Sequence, residues 1–169
     1  MTYEIAICDD EEKQRTYMKS LVERWLHQTF HHAQIREYAS SEQFLFEQAD
    51  VMTQILFLDI EMEKMDGIAL AREIRKHNRQ MQIIFVTGYM EYIQEGYDVD
   101  ALHYLLKPVS QEKTDSVLER AVERLKTADA VLFVESSGEL TRIPLHEIRY
   151  IESNRNYNIL HADTDYEMR

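Results

Sequence analysis

Ile55-Leu56-Phe57-Leu58-Asp59 decides the fold: four apolar residues in a row, ending in a carboxylate. A short unbroken apolar run suits a strand buried on both faces of a parallel sheet. Similar, mainly apolar runs cover Tyr3 to Cys8, Ile83 to Val86 and Ala101 to Leu106. Polar chemistry follows each one: Asp9-Asp10, Thr87 and Lys107-Pro108. If the four runs are parallel strands of one sheet, those groups share its carboxyl edge with Asp59. That edge is where open α/β sheets bind ligands.

Helical patterns lie between the runs, as βαβ units require. Residues 11–29 carry Tyr17, Met18, Leu21, Val22, Trp25 and Leu26 at spacings of three and four, the inner face of a helix. A short strand is expected at 34–38. Ser40 or Ser41 can cap a helix ending near Gln48. Gly67 leads into a helix over 68–77 with Ile68, Leu70, Ala71 and Ile74 facing inward. Residues 89–96 form a short helix interrupted by Gly96, and Ser110 caps a helix over 111–127. Five strands and five helices result, with connections long enough for right-handed crossovers.

The pattern changes after Lys126. Runs at 131–134, 141–145, 150–152 and 157–161 read as strands, separated by turn signals at Ser136-Ser137-Gly138 and Ser153 to Asn156. This β-rich stretch of some 40 residues is marginal as an independent core, and is expected to be the front part of a second domain. The domain division expected is 1–125 and 130–169.

Composition narrows the function. Net charge is −12 over 169 residues. Residues 1–125 carry 14 basic against 23 acidic side chains, a balance of −9, and residues 126–169 carry 5 against 8, a balance of −3. Neither part is a basic nucleic-acid arm. No apolar run approaches the roughly 20 residues of a membrane span, and the N-terminus has no signal-peptide pattern. The single cysteine, Cys8, excludes an internal disulfide and reads as a small buried apolar residue. The expected location is cytoplasmic. His27, His31 and His32 include an i, i+4 pair but no further ligand, and read as solvated surface.

The residues at the strand ends suit a divalent metal and a phosphoryl group. Magnesium takes oxygen ligands, often one or two carboxylates with phosphate oxygens, and Asp9, Asp10 and Asp59 can supply them. Clustered carboxylates repel one another, and a cation relieves the repulsion. Asp59 is the best nucleophile, able to form an acyl phosphate. Lys107 would stabilise charge on the transferring group, and Thr87 could hydrogen-bond it afterwards. Lys107-Pro108 is a candidate cis peptide.

Ile7 to Glu11, Leu58 to Met62 with Met65-Asp66-Gly67, Val86-Thr87-Gly88 and Tyr104 to Pro108 resemble the receiver domain of bacterial two-component response regulators. The resemblance spans residues 1 to about 125 and implies a flavodoxin-like, doubly wound parallel sheet. It implies that Asp59 accepts phosphate from a sensor histidine kinase and that Asp10 and Asp59 bind Mg2+ with the Glu61 backbone carbonyl, Asp9 acting directly or through water. It also implies that Thr87 and Tyr104 form a switch pair. Glu63 departs from the family, which often has proline there. Residues 140–157, through Leu145 to Ser153, resemble the start of a LytTR DNA-binding domain, implying DNA contacts by Arg155, Asn156 and Tyr157. The resulting expectation is a non-enzymatic transcriptional regulator that dimerises when phosphorylated. It would bind repeated promoter sites through an output domain truncated in this chain. The dimer face would be built from the 89–96 helix, the fifth strand and the helix over 111–127. The alternatives are a receiver acting through protein–protein contacts alone, motivated by the acidic charge, and an aspartyl-phosphate phosphohydrolase, motivated by Glu61 two residues after Asp59.

Overall fold

The computed structural model describes residues 2–48, 50–89, 99–128, 130–136, 139–154, 157–162 and 164–168. It divides into two compact units, Met1–Ala121 and Val122–Arg169.

In the first unit five parallel strands form one sheet in the order β2-β1-β3-β4-β5. They are β1 (Thr2–Cys8), β2 (His32–Tyr38), β3 (Ile55–Asp59), β4 (Gln82–Thr87) and β5 (His103–Leu106). Helices α1 (Glu12–Thr29), α2 (Ser41–Gln48) and α3 (Gly67–His77) alternate with them, and α4 (Gln111–Ala128) follows β5, its residues from Val122 on belonging to the second unit. This is the flavodoxin-like fold. Every residue of β3 and β4 is buried, as their unbroken apolar runs require, whereas β2 and β5 mix buried and exposed positions as sheet edges do. On one face Ala6, Cys8, Leu56, Leu58, Ile83 and Phe85 pack with Phe44 of α2 and Ile68, Leu70, Ala71 and Ile74 of α3.

Local signals fix the helix starts. Ser40 caps α2: the Gln43 N–H donates to Ser40 Oγ at 3.1 Å, and the Gln43 side chain reaches back to accept from the Ala39 N–H, one residue before the cap, at 2.9 Å. Ser41, the other candidate cap, is buried and donates to the Met65 carbonyl instead. Asp66 caps α3 by accepting from the Ala69 N–H at 2.7 Å, and Arg75, Lys76 and His77 complement the helix dipole at the other end. The Lys113 N–H reaches Ser110 Oγ at 3.4 Å at the start of α4.

Several expectations shift. β2 starts two residues earlier, because His32 and Ala33 pair with Thr2 and Tyr3. β5 starts two residues later: Leu102 is buried but joins the sheet only through its N–H to the Ile83 carbonyl. His31 is not solvated surface: its ring stacks on Trp25 and meets Tyr3 edge-on. Tyr17, placed on the inner face of its helix, is 43% exposed. The helix expected at 89–96 lies, from residue 90 on, outside the described residues.

The second unit is β-rich. β6 (Val131–Ser136) and β7 (Glu139–Pro144) pair antiparallel. After a 3-10 turn at Leu145–Glu147, strands β8 (Tyr150–Asn154), β9 (Tyr157–His161) and β10 (Asp165–Met168) form an antiparallel sheet ordered β10-β9-β8. β10 has no counterpart in the sequence expectations. The core here is small, with Val134, Ile143, Leu160 and Ala162 buried, while Phe133, Leu140, Tyr150 and Ile151 are exposed. No helix among the described residues is long and apolar enough to cross a membrane.

Candidate functional site

The sheet order reverses between β1 and β3, and the crevice outside their carboxyl ends is the topological switch point of such a fold. Asp9 and Asp10 follow β1 directly and Asp59 is the last residue of β3. Their carboxylate oxygens lie within 4.8 Å of one another. Asp9 and Asp59 are buried and Asp10 is exposed.

Each carboxylate is held. Asp9 Oδ1 accepts from the Glu11 N–H at 2.8 Å, and Asp10 Oδ2 accepts from the Glu63 N–H at 3.3 Å. The Glu61 backbone N–H supports Asp59. Lys107 Nζ bridges the buried pair, at 3.0 Å from Asp9 Oδ2 and 3.2 Å from Asp59 Oδ2. Burial, and then the charge of Asp9, push the Asp59 carboxyl up to about 6, against the opposing pull of Lys107 and the Glu61 N–H. For Lys107, burial acts to lower the ammonium, but its bond to Asp9 and the charges of Asp59 and Asp9 outweigh it and hold it above the ordinary lysine value. Behind the site Cys8 is buried, its thiol 3.7 Å from Met62 Sδ and pushed up to about 12 by burial and then by Asp9. It stays a protonated packing group.

Gly67 permits this assembly. A Cβ there would overlap the Asp59 carbonyl oxygen and stand 2.9 Å from the carbonyl carbon and 3.0 Å from Ile60 Cα. The Gly67 N–H donates to the Ile60 carbonyl at 2.9 Å, so the start of α3 is drawn against the end of β3. The loop between them turns at Lys64, whose φ of 65° is left-handed.

The remaining sequence-derived candidates are placed as follows. Thr87 ends β4, is buried, and its Oγ1 accepts from the Tyr89 N–H at 3.1 Å. Its carbonyl accepts from the Lys107 N–H at 2.8 Å, and the Lys107-Pro108 bond is cis. Tyr104 lies opposite Phe85 in the β4–β5 ladder, half-buried with its ring stacked on Phe85 at 5.2 Å. Glu61 is exposed in the loop after β3. Tyr157 begins β9 and its hydroxyl accepts from Asn154 Nδ2 at 3.2 Å, while Arg155 and Asn156 lie outside the described residues. Two polar contacts were not legible: Arg15 Nη1 donates to the Asp9 carbonyl at 2.6 Å, and the Tyr17 hydroxyl donates to the Val109 carbonyl at 2.7 Å. Neither has a sequence signal, because each joins a side chain to a backbone oxygen.

The donor set fits a hard divalent cation: three carboxylates converge with one ammonium to balance them, an excess of negative charge at oxygen ligands. Asp9, Asp10 and Asp59 could hold Mg2+, and the same crevice places the Asp59 carboxyl at the end of a fully buried strand.

Known proteins share this architecture. Residues 5–119 match the response regulator receiver domain. The sensory transduction protein LytT of Bacillus subtilis is 29% identical over 116 residues, covering 69% of this chain and 46% of that protein. Accessory gene regulator protein A of Staphylococcus epidermidis is 30% identical over 175 residues, covering 95% of this chain and 73% of that protein. The response regulatory domain of protein mrkE from Klebsiella pneumoniae superposes with a TM-score of 0.66 at 21% identity, over 73% of this chain and 98% of that one. The chain spans about half the length of the first curated relatives it matches. Through its first unit, the chain belongs to the response regulator receiver domain family.

Proposed function

We propose that Asp59 accepts a phosphoryl group from a sensor histidine kinase in the cytoplasm and so controls a LytTR-type DNA-binding output that residues 130–169 begin. The observation that carries the reading is the Lys107 ammonium bridging Asp9 and Asp59 beside Asp10 at the switch point of the sheet. An Asp59 oxygen attacks phosphorus, forming a P–O bond as the donor's bond to phosphorus breaks and its electron pair leaves with the donor. Lys107 supplies positive charge to the transferring oxygens, and Asp9 orients Lys107. Mg2+ held by Asp9, Asp10, Asp59 and the Glu61 carbonyl would neutralise charge on the phosphoryl group. Thr87 then donates to a phosphoryl oxygen, and Tyr104 responds through its packing on Phe85. The modified chain dimerises through the β5 and α4 side of the unit, presenting two outputs to a repeated promoter site. Relatives named as sensory transduction and accessory gene regulator proteins support the output assignment.

Uptake of phosphate from acetyl phosphate with Mg2+ tests the phosphoacceptor. Asp59→Asn is expected to take up none, and uptake at the wild-type level removes Asp59 from this role. Promoter binding is tested on the full-length gene product with and without phosphorylation. The net charge of −12 favours one other reading, a receiver acting through protein contacts alone. Failure of that product to bind DNA, together with phosphorylation-dependent capture of a protein, would select it. Sustained release of phosphate from a phosphate ester would instead assign a phosphohydrolase.

A further inference from the structure

Helix α1 is bonded to the segment after β1 that carries Asp9 and Asp10 and to the segment after β5 that carries Lys107. Arg15 holds the Asp9 carbonyl, the Tyr17 hydroxyl holds the Val109 carbonyl, and Gln111 Nε2 donates to the Leu21 carbonyl at 2.9 Å. Lys107 therefore sits between two fixed points of backbone. On one side its N–H is bonded to Thr87 in the sheet, and two residues further on Val109 is bonded to Tyr17. Val109 is 3% exposed, and it lines the same narrow cavity as Tyr17, Asp9, Asp59 and Lys107.

We propose that Tyr17 is a positioning residue for Lys107: through the Val109 carbonyl its hydroxyl fixes the backbone from which the ammonium bridges Asp9 and Asp59. The exposure of the ring sets Tyr17 apart from Met18, Leu21, Val22 and Trp25 on the same helix, all buried. Its hydroxyl reaches a carbonyl 92 residues away, so its role is to join α1 to the β5–α4 loop. A lysine on a long flexible stem delivers its charge accurately only if its Cα is fixed, and a small displacement of a catalytic group carries a large rate penalty. The kinetic consequence rests on Asp59 being the phosphoacceptor, whereas the backbone consequence does not.

Tyr17→Phe keeps the ring and removes only the hydroxyl. In the full chain with Mg2+ and acetyl phosphate, the substitution is expected to lower the maximal phosphorylation rate about tenfold with the half-saturating donor concentration unchanged. In a Lys107→Ala background the same substitution is expected to be silent. An equal loss in both backgrounds, or no loss in either, overturns the proposal. Amide hydrogen exchange at Lys107, measured without donor or metal, separates this result from failure of the phosphoacceptor reading. Faster exchange in Tyr17→Phe supports the backbone tether even where the wild type takes up no phosphate, and unchanged exchange overturns it.

Discussion

Replacing Asp59 with asparagine should stabilise the metal-free protein, in a pH-dependent way. The Asp59 carboxyl rises from 3.8 to about 6, through burial first and the charge of Asp9 second. At 1.36 kcal/mol per unit this shift corresponds to about 3 kcal/mol between the charged and neutral forms. Between pH 4 and pH 6 the native state keeps a proton that the unfolded state has lost, so stability falls as pH rises through this window and stays lower above it. Asparagine carries no charge and escapes the loss. The gain from Asp59→Asn should therefore be about 3 kcal/mol at pH 7.5 in EDTA and close to zero at pH 4. Urea unfolding followed by Trp25 fluorescence measures it, since Trp25 is the single tryptophan and is 1% exposed within the first unit. Added Mg2+ should close the gap at pH 7.5, because the ion stabilises the native wild type by mass action. A gain of the same size at both pH values would refute the electrostatic origin. No gain at pH 7.5 would refute a net cost of the buried charge, since the value of about 6 already includes the pull of Lys107.

Gly67→Ala should destabilise the first unit by about 3 kcal/mol, because a Cβ overlapping the Asp59 carbonyl must push α3 away from β3; unfolding should also show weakened Mg2+ stabilisation. Lys107→Met removes the cation that competes with a metal for Asp9 and Asp59, so Mg2+ affinity by titration calorimetry should rise on the order of tenfold. Its phosphorylation rate should fall roughly a hundredfold or more, and a parallel loss of both would contradict the competition. Lys64→Gly should raise stability by about 0.5–1 kcal/mol in the same urea assay, since the backbone there is left-handed and glycine adopts that conformation without strain.

What the sequence revealed follows from what burial demands of side chains. β3 and β4 are buried on both faces, so their apolar runs marked their position and, through Asp59 and Thr87, the edge of the site. Asp9, Asp10 and Lys107 were legible for the same reason, each standing just past a strand. Edge elements make weaker demands. β2 extends to His32 because ladder bonds are made by backbone, whatever the side chain. β10, Asp165–Met168, pairs with β9 although it carries two carboxylates, and its polarity hid it. Gly67 was visible as the approach to a helix, but its closeness to the Asp59 carbonyl is a tertiary fact. Tyr17 misled in the opposite sense: its helical spacing placed it inside with its neighbours, whereas its ring is half exposed and its hydroxyl serves a distant carbonyl.

Thr87 is where the crevice meets both the exit of β4 and the Lys107 backbone. Its Oγ1 accepts from the Tyr89 N–H, and its carbonyl accepts from the Lys107 N–H. On the proposed reading, a phosphoryl group on Asp59 would bring roughly −2 charge and strong acceptors into a crevice that already holds more carboxylates than cations. A turn of the Thr87 hydroxyl toward a phosphoryl oxygen would withdraw Oγ1 from the Tyr89 N–H, at the exit of β4. The carbonyl bond to Lys107 and the β4–β5 ladder would couple such a turn to β5 and Tyr104. Thr87→Val preserves shape and removes the hydroxyl. It should leave Asp59 phosphorylation within about tenfold of wild type, while abolishing the phosphorylation-dependent change in the Tyr104 ring resonances seen by NMR. Thr87→Ser should restore that change. A valine variant that still responds fully would show that the signal leaves the crevice through Lys107 and β5 without the hydroxyl.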